Sequence, residues 1–175
     1  MKRVLLLLFV TVFVLSPVFA EEKTGFTDLK SKIAIGCSVT GSSASVRFWP
    51  SDNLGVELSA GLSFANNYVH VPISAAMLFP IMEKGNFALN IAPGIGFSYT
   101  MSSSTVSGFS FSAGADLMVE MALPIISENL SIGSAIGAWF AFASSTNSAL
   151  PTNQTTTSFN VDLVTVSPVV LRYYF

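Results

Sequence analysis

The sequence predicts an all-β chain, an eight-stranded antiparallel up-and-down transmembrane β-barrel. Three observations carry that expectation. First, 51% of the residues are apolar and 10% charged, yet beyond residue 20 no unbroken apolar run reaches the about 20 residues a spanning helix needs. The richest windows, residues 71–82 and 130–143, are interrupted by Pro, Ser and Gly. A closed barrel is the other way for a chain to satisfy its backbone in lipid. Second, bulky apolar residues recur at every second position over most of the chain, which is the period of a strand. Third, from Lys32 onward the charged residues fall in turns or on the opposite phase of that alternation.

The elements follow in order. Lys2 and Arg3 precede an apolar stretch over residues 4–15, and Val18 and Ala20 supply small residues before a cleavage point. This pattern predicts a signal peptide over residues 1–20, cleaved after Ala20. Residues 21–31 are polar and aperiodic and read as a short periplasmic tail. Residues 32–175 then form the barrel domain. Strand one, 32–40, places Ile33, Ile35, Cys37 and Val39 on one face. Strand two, 45–49, turns Val46 and Phe48 outward and Arg47 inward, and Pro50-Ser-Asp-Asn53 is a turn signal.

Strand three, 54–64, alternates Leu54, Val56, Leu58, Ala60, Leu62 and Phe64 with Gly55, Glu57, Ser59, Gly61 and Ser63. Strand four, 68–81, carries Pro72 and Pro80 on its inward phase, where a missing N–H donor predicts bulges or kinks. Strand five, 87–101, sets Phe87, Leu89, Ile91, Ile95, Phe97 and Tyr99 against small inward residues such as Gly94 and Gly96. Strand six, 108–125, points Asp116 and Glu120 inward. Strand seven, 130–143, puts Ile132, Ile136, Phe140 and Phe142 out and Trp139 in. Residues 144–157 read as the longest loop, and strand eight, 158–175, closes the chain. About eight strands of roughly ten residues, joined by alternating short and longer connections, fit the smallest membrane barrels.

Charge decides between an inside-out barrel and a water-soluble one. Lys32, Arg47, Glu57, Asp116, Glu120, Asp162 and Arg172 take inward positions, and Asp52, Glu83, Lys84 and Glu128 take tight turns. A Lys or Arg at the midplane of a lipid face costs about 2–4 kcal/mol, which accounts for the emptiness of the outward phase. Aromatic residues gather toward strand ends. Phe48, Trp49, Phe79, Phe87, Tyr173, Tyr174 and Phe175 lie toward one interface, and Phe64, Tyr68, Tyr99, Phe109, Phe142 and Phe159 toward the other.

The inward charges define the candidate site. Across the turn at Pro50, Arg47 falls opposite Glu57. Glu120 and Arg172 lie at similar depth with Asn90 in the same layer, and Asp116 sits just above. The expected lumenal polar cluster is therefore Arg47, Glu57, Asp116, Glu120 and Arg172. Either these ions satisfy one another in a filled core, as buried charges must, or they form a gate on a narrow polar path. The first reading is preferred because an eight-stranded interior is filled by side chains.

Other chemistry finds little support. His70, the single histidine, shares a face with Ser74 beside Glu57, but no hydrolase motif surrounds it and it lacks partners for a metal. Gly94-Ile-Gly96 has no third glycine and no following helix, so it is not a nucleotide fingerprint. No catalytic residue, cofactor or metal is expected. The net charge of −2, more negative once Lys2 and Arg3 are removed, argues against nucleic acid. The single cysteine, Cys37, forms no internal disulfide and is expected as a buried thiol on the apolar face.

The last strand reads Ser-Phe-Asn-Val-Asp-Leu-Val-Thr-Val-Ser-Pro-Val-Val-Leu-Arg-Tyr-Tyr-Phe. An alternating strand that ends on an aromatic residue, here Phe175, resembles the closing strand of bacterial outer-membrane barrels. With the signal peptide and the strand pattern, the chain is similar to the small OmpA, OmpX and OmpW-type barrels. The resemblance implies a bacterial outer-membrane location and a monomer that contacts outer-membrane lipids. It also implies recognition by the outer-membrane assembly machinery through the strand ending at Phe175. The expected role is a non-enzymatic envelope component with a filled polar lumen. Alternatives are a narrow channel for small or hydrophobic solutes and a surface-binding barrel acting through residues 144–157.

Overall fold

The computed structural model describes residues 26–30, 32–39, 42–65, 67–103, 106–148 and 154–175. The predicted signal peptide and the first part of the predicted tail, residues 21–25, lie outside the described residues. So do parts of the predicted loops after strands one, three, five and seven.

The described chain holds one short helix, α1 (Phe26–Leu29), and ten strands: β1 (Ala34–Ser38), β2 (Ser43–Ser51), β3 (Leu54–Gly61), β4 (Ser63–Ala65), β5 (Tyr68–Lys84), β6 (Phe87–Ser103), β7 (Val106–Ala122), β8 (Leu130–Asn147), β9 (Gln154–Val166) and β10 (Val170–Tyr174). All pairings are antiparallel in a single sheet of order β10-β1-β2-β3-β5-β6-β7-β8-β9, with β4 beside β5. The short β10 pairs with β1 on one side and with β8 on the other, so the sheet closes into a ring. The fold is thus all-β and antiparallel, as expected.

The eight predicted strands appear as ten because two of them break. Strand three divides at Leu62, between β3 and β4. Both pieces pair with β5 in one register, Ala60 with Ile73 and Ser63 with His70, and the gap falls opposite Pro72. Proline has no N–H to give to the ladder. At the other inward proline, Pro80, the β5–β6 register shifts, as the bulge expectation required. Strand eight divides at residues 167–169, around Pro168, into β9 and β10. The predicted loop 144–157 is corrected as well. Ser144 pairs with Thr157, and the ladder continues to Asn147 and Gln154, so β8 and β9 run farther than expected. A Ser/Thr-rich segment looks loop-like, but threonine favours strands.

One end of the ring is closed. It carries the tight turn at Asp52 and Asn53, the turn at Gly85, the connection over residues 123–129, and α1. Gly85 takes a φ of 56°, a conformation that glycine adopts without a Cβ clash. Its carbonyl accepts from the Phe26 N–H at 2.9 Å, which anchors the start of α1. Phe26 and Leu29 share one face of that single turn. Both are buried in a cluster with Ala34, Ala88, Ala122 and Tyr174, and Phe26 meets Tyr174 edge to face at 6.3 Å. This part of the predicted tail is therefore a cap over the ring.

Strand lengths make the wall uneven. β1, β2 and β3 have 5, 9 and 8 residues, whereas β5 to β8 have 17 or 18. β9 rises along β8, and no described strand pairs with its other edge.

Candidate functional site

The lumen at the closed end is filled by the charges that the sequence placed there. Arg47 on β2 pairs directly with Glu57 on β3. The expected loop is slightly different: Pro50 and Ser51 belong to β2, and a bulge between Phe48 and Ser51 absorbs one extra residue. The outcome for Arg47 and Glu57 is the same.

Arg47 donates to Glu57 Oε2 through Nε at 2.7 Å and also through Nη2. Its Nη1 donates to Glu120. Arg172 Nη2 donates to Glu57 Oε1 at 2.9 Å, and its Nη1 lies 3.7 Å from Glu120 Oε2. Each carboxylate thus touches both guanidinium groups, and the four charges cancel. All four residues are buried, Arg47 and Glu120 completely. Such a group is stable only when every ion keeps its partners.

Further side chains complete the cluster, and these the sequence reading did not assign to it. Ser131 Oγ and Tyr174 Oη, the latter at 2.8 Å, donate to Glu120 Oε1. Met118 Sδ accepts from Arg47 Nη2 at 2.9 Å. Tyr174 was expected in an aromatic belt, but its side chain turns inward and is fully buried. The signal for it was present, since Tyr174 shares a strand phase with Arg172. Trp49, expected in the same belt, also turns inward and packs near Leu78 and Ala92. Lys30 lies over its ring at 4.6 Å, donates to the Asp52 carbonyl at 2.8 Å and pairs with Glu83. Asn90 is buried in the predicted layer, although its amide atoms have no hydrogen-bond partner there.

Asp116 is not part of the cluster. It accepts from Trp139 Nε1 at 2.8 Å, one layer farther from the closed end. Between that layer and the four charges lies a cavity of about 200 Å³. Its lining includes Ser38, Ser45, Glu57, Asp116, Trp139 and Arg172. Asp162 shares the phase of Trp139 on β9 but is exposed.

The hydrolase arrangement does not assemble. His70 Nδ1 contacts Thr100 Oγ1 at 3.0 Å, while Ser74 Oγ contacts Ser59 Oγ at 2.7 Å. Glu57 is held by the two arginines. Cys37 lies on the outer face as its phase requires, but it is exposed there, so the expected burial by the chain itself is corrected. Comparison with family models, curated proteins and solved structures returns no match.

Proposed function

We propose that this chain is a non-enzymatic outer-membrane β-barrel, an envelope component whose lumen is blocked at one end by a neutral ion cluster. One observation carries the reading: the ring is inside-out. Ile35, Val46, Leu58, Ile95, Phe97 and Phe111 are exposed on its outer face, while Arg47, Glu57, Glu120 and Arg172 are buried within it. Apolar surface on that scale belongs against lipid or another protein. No described helix is long and apolar enough to cross a membrane, so a crossing would use the strands. At about 3.3 Å per residue and a tilt of about 40°, a strand of 17 residues rises roughly 40 Å, beyond the about 25 Å apolar band of an outer membrane. The signal-peptide pattern at residues 1–20 supports export.

Mixing the unfolded chain with lipid vesicles tests the proposal. Insertion with protease protection of the strands, together with precipitation when no amphiphile is present, is the expected result. A folded, monodisperse protein in plain buffer would refute it. The cavity above the cluster favours a second reading, a narrow channel gated by the charges. Discrete conductance steps in planar bilayers, altered by Arg47→Ala or Glu57→Ala, would establish that reading in place of the blocked lumen.

A further inference from the structure

We propose that the cavity above the ion cluster binds a small zwitterion. Its ammonium group would lie at Asp116 and Trp139, and its carboxylate at Arg172, Ser38 and Ser45. This goes beyond the envelope role and holds whatever medium surrounds the ring.

The charge balance gives the first pole. Arg47, Arg172, Glu57 and Glu120 neutralise one another. Asp116 stands outside that balance, and among the described residues its partner is the Trp139 indole N–H. The indole ring lies along the wall. A Cβ built on Gly114 would come within 2.7 Å of ring atom Cδ2, and one on Gly94 within 3.3 Å of Cη2. The two glycines make room for one face of the ring and leave the other toward the cavity it lines. A carboxylate beside an aromatic face is a site for an organic ammonium group.

Unmet donors give the second pole. Arg172 is 2% exposed, and its Nε has no hydrogen-bond partner. Ser38 Oγ and Ser45 Oγ are likewise buried without one. All three residues line the same cavity. Gly36 lies between two of them: a Cβ there would fall 2.6 Å from Ser45 Oγ and 3.0 Å from Arg172 Cγ. Buried donors without acceptors are costly, and a carboxylate would supply the acceptors. A lone anion would face Asp116 and Glu57, and a lone cation would leave the donors unmet. A zwitterion satisfies both poles. An engineered cavity of about 150 Å³ takes up benzene, so about 200 Å³ suits an amino-acid-sized molecule.

The test uses trimethylglycine as the probe and the full chain refolded in detergent micelles. Trp49→Phe leaves Trp139 as the sole indole of the chain, and its fluorescence follows binding. Isothermal titration of the unmodified chain repeats the measurement. The expected result is saturable binding, at least about tenfold tighter than that of tetramethylammonium or acetate. Asp116→Asn and the double variant Ser38→Ala/Ser45→Ala should each weaken it by about tenfold. No saturable binding to the folded chain would overturn the proposal. So would equal binding of tetramethylammonium or acetate, or unchanged affinity in both folded variants.

Discussion

The two ends of the ring share one hydrogen-bonded wall and differ in what fills it. At the closed end, four buried charges, Ser131, Tyr174 and the α1 cap occupy the lumen. At the far end the inward positions are mostly Gly, Ala, Ser and Thr, and the side-chain contacts engage hydroxyls, as in Ser98–Ser110 at 2.8 Å and His70–Thr100 at 3.0 Å. β9 is exposed along nearly its whole length. Backbone ladders are therefore sufficient to raise the wall, whereas a unique interior is built at one end only. Substitutions should weigh very differently at the two ends.

The largest difference is expected at Glu120. Glu120→Ala leaves two buried arginines with one carboxylate between them and should cost about 3–5 kcal/mol of unfolding free energy. Adding Arg47→Ala restores neutrality, with Arg172 and Glu57 still paired. The double variant should then lose less than the two single losses combined. Urea titration in lipid vesicles measures both, and additive losses would mean that the ions do not act as one unit.

The outer face is apolar at both ends, so the proposed lipid contact gives the next largest effect. Ile95, halfway along β6, is exposed. Ile95→Arg should cost about 2–4 kcal/mol in vesicles if it lies at the bilayer midplane. Thr155→Arg, at an exposed outward position near the tip of β9 and beyond the proposed apolar band, should stay within about 0.5 kcal/mol. Equal small effects at both positions would remove the membrane from the account.

Phe26→Ala asks whether the cap belongs to the cooperative core. The lost burial of one phenylalanine is worth about 1.5–3 kcal/mol. A short segment can also undock locally, without unfolding the ring. Hydrogen exchange should show lost protection at the Phe26 amide, which bonds to Gly85, while Glu120 and its strand neighbours keep theirs. Lost protection throughout the ring would make the cap a structural keystone.

That cap also marks where the sequence stopped being legible. Period-two alternation set most strand phases, and phase brought Arg47, Glu57, Glu120 and Arg172 into one layer, because antiparallel register carries a side chain to a fixed height. Phase could not say that Asp116 would prefer Trp139, because that choice depends on an indole laid across two glycines. Nor did it reveal α1. Two apolar residues three apart in a polar stretch make too little pattern to register as a helix. The tall β8–β9 hairpin was missed because Ser and Thr serve loops and strands alike.

The finest form of the comparison uses one atom at each end. Ser131→Ala and Ser110→Ala both delete a hydroxyl from an inward position. Ser131 donates to the buried Glu120 carboxylate, and a hydrogen bond to a charged group contributes about 1.5–3 kcal/mol. Tyr174 still donates to the same oxygen, which places the loss toward the lower part of that range. Ser110 exchanges a neutral contact with Ser98 in a partly buried setting, so its loss should be about 0.5–1.5 kcal/mol or less. The expected order is therefore Ser131 above Ser110, read from the same urea titrations. The reverse order would place the tighter polar packing at the far end and leave the ion cluster as filler.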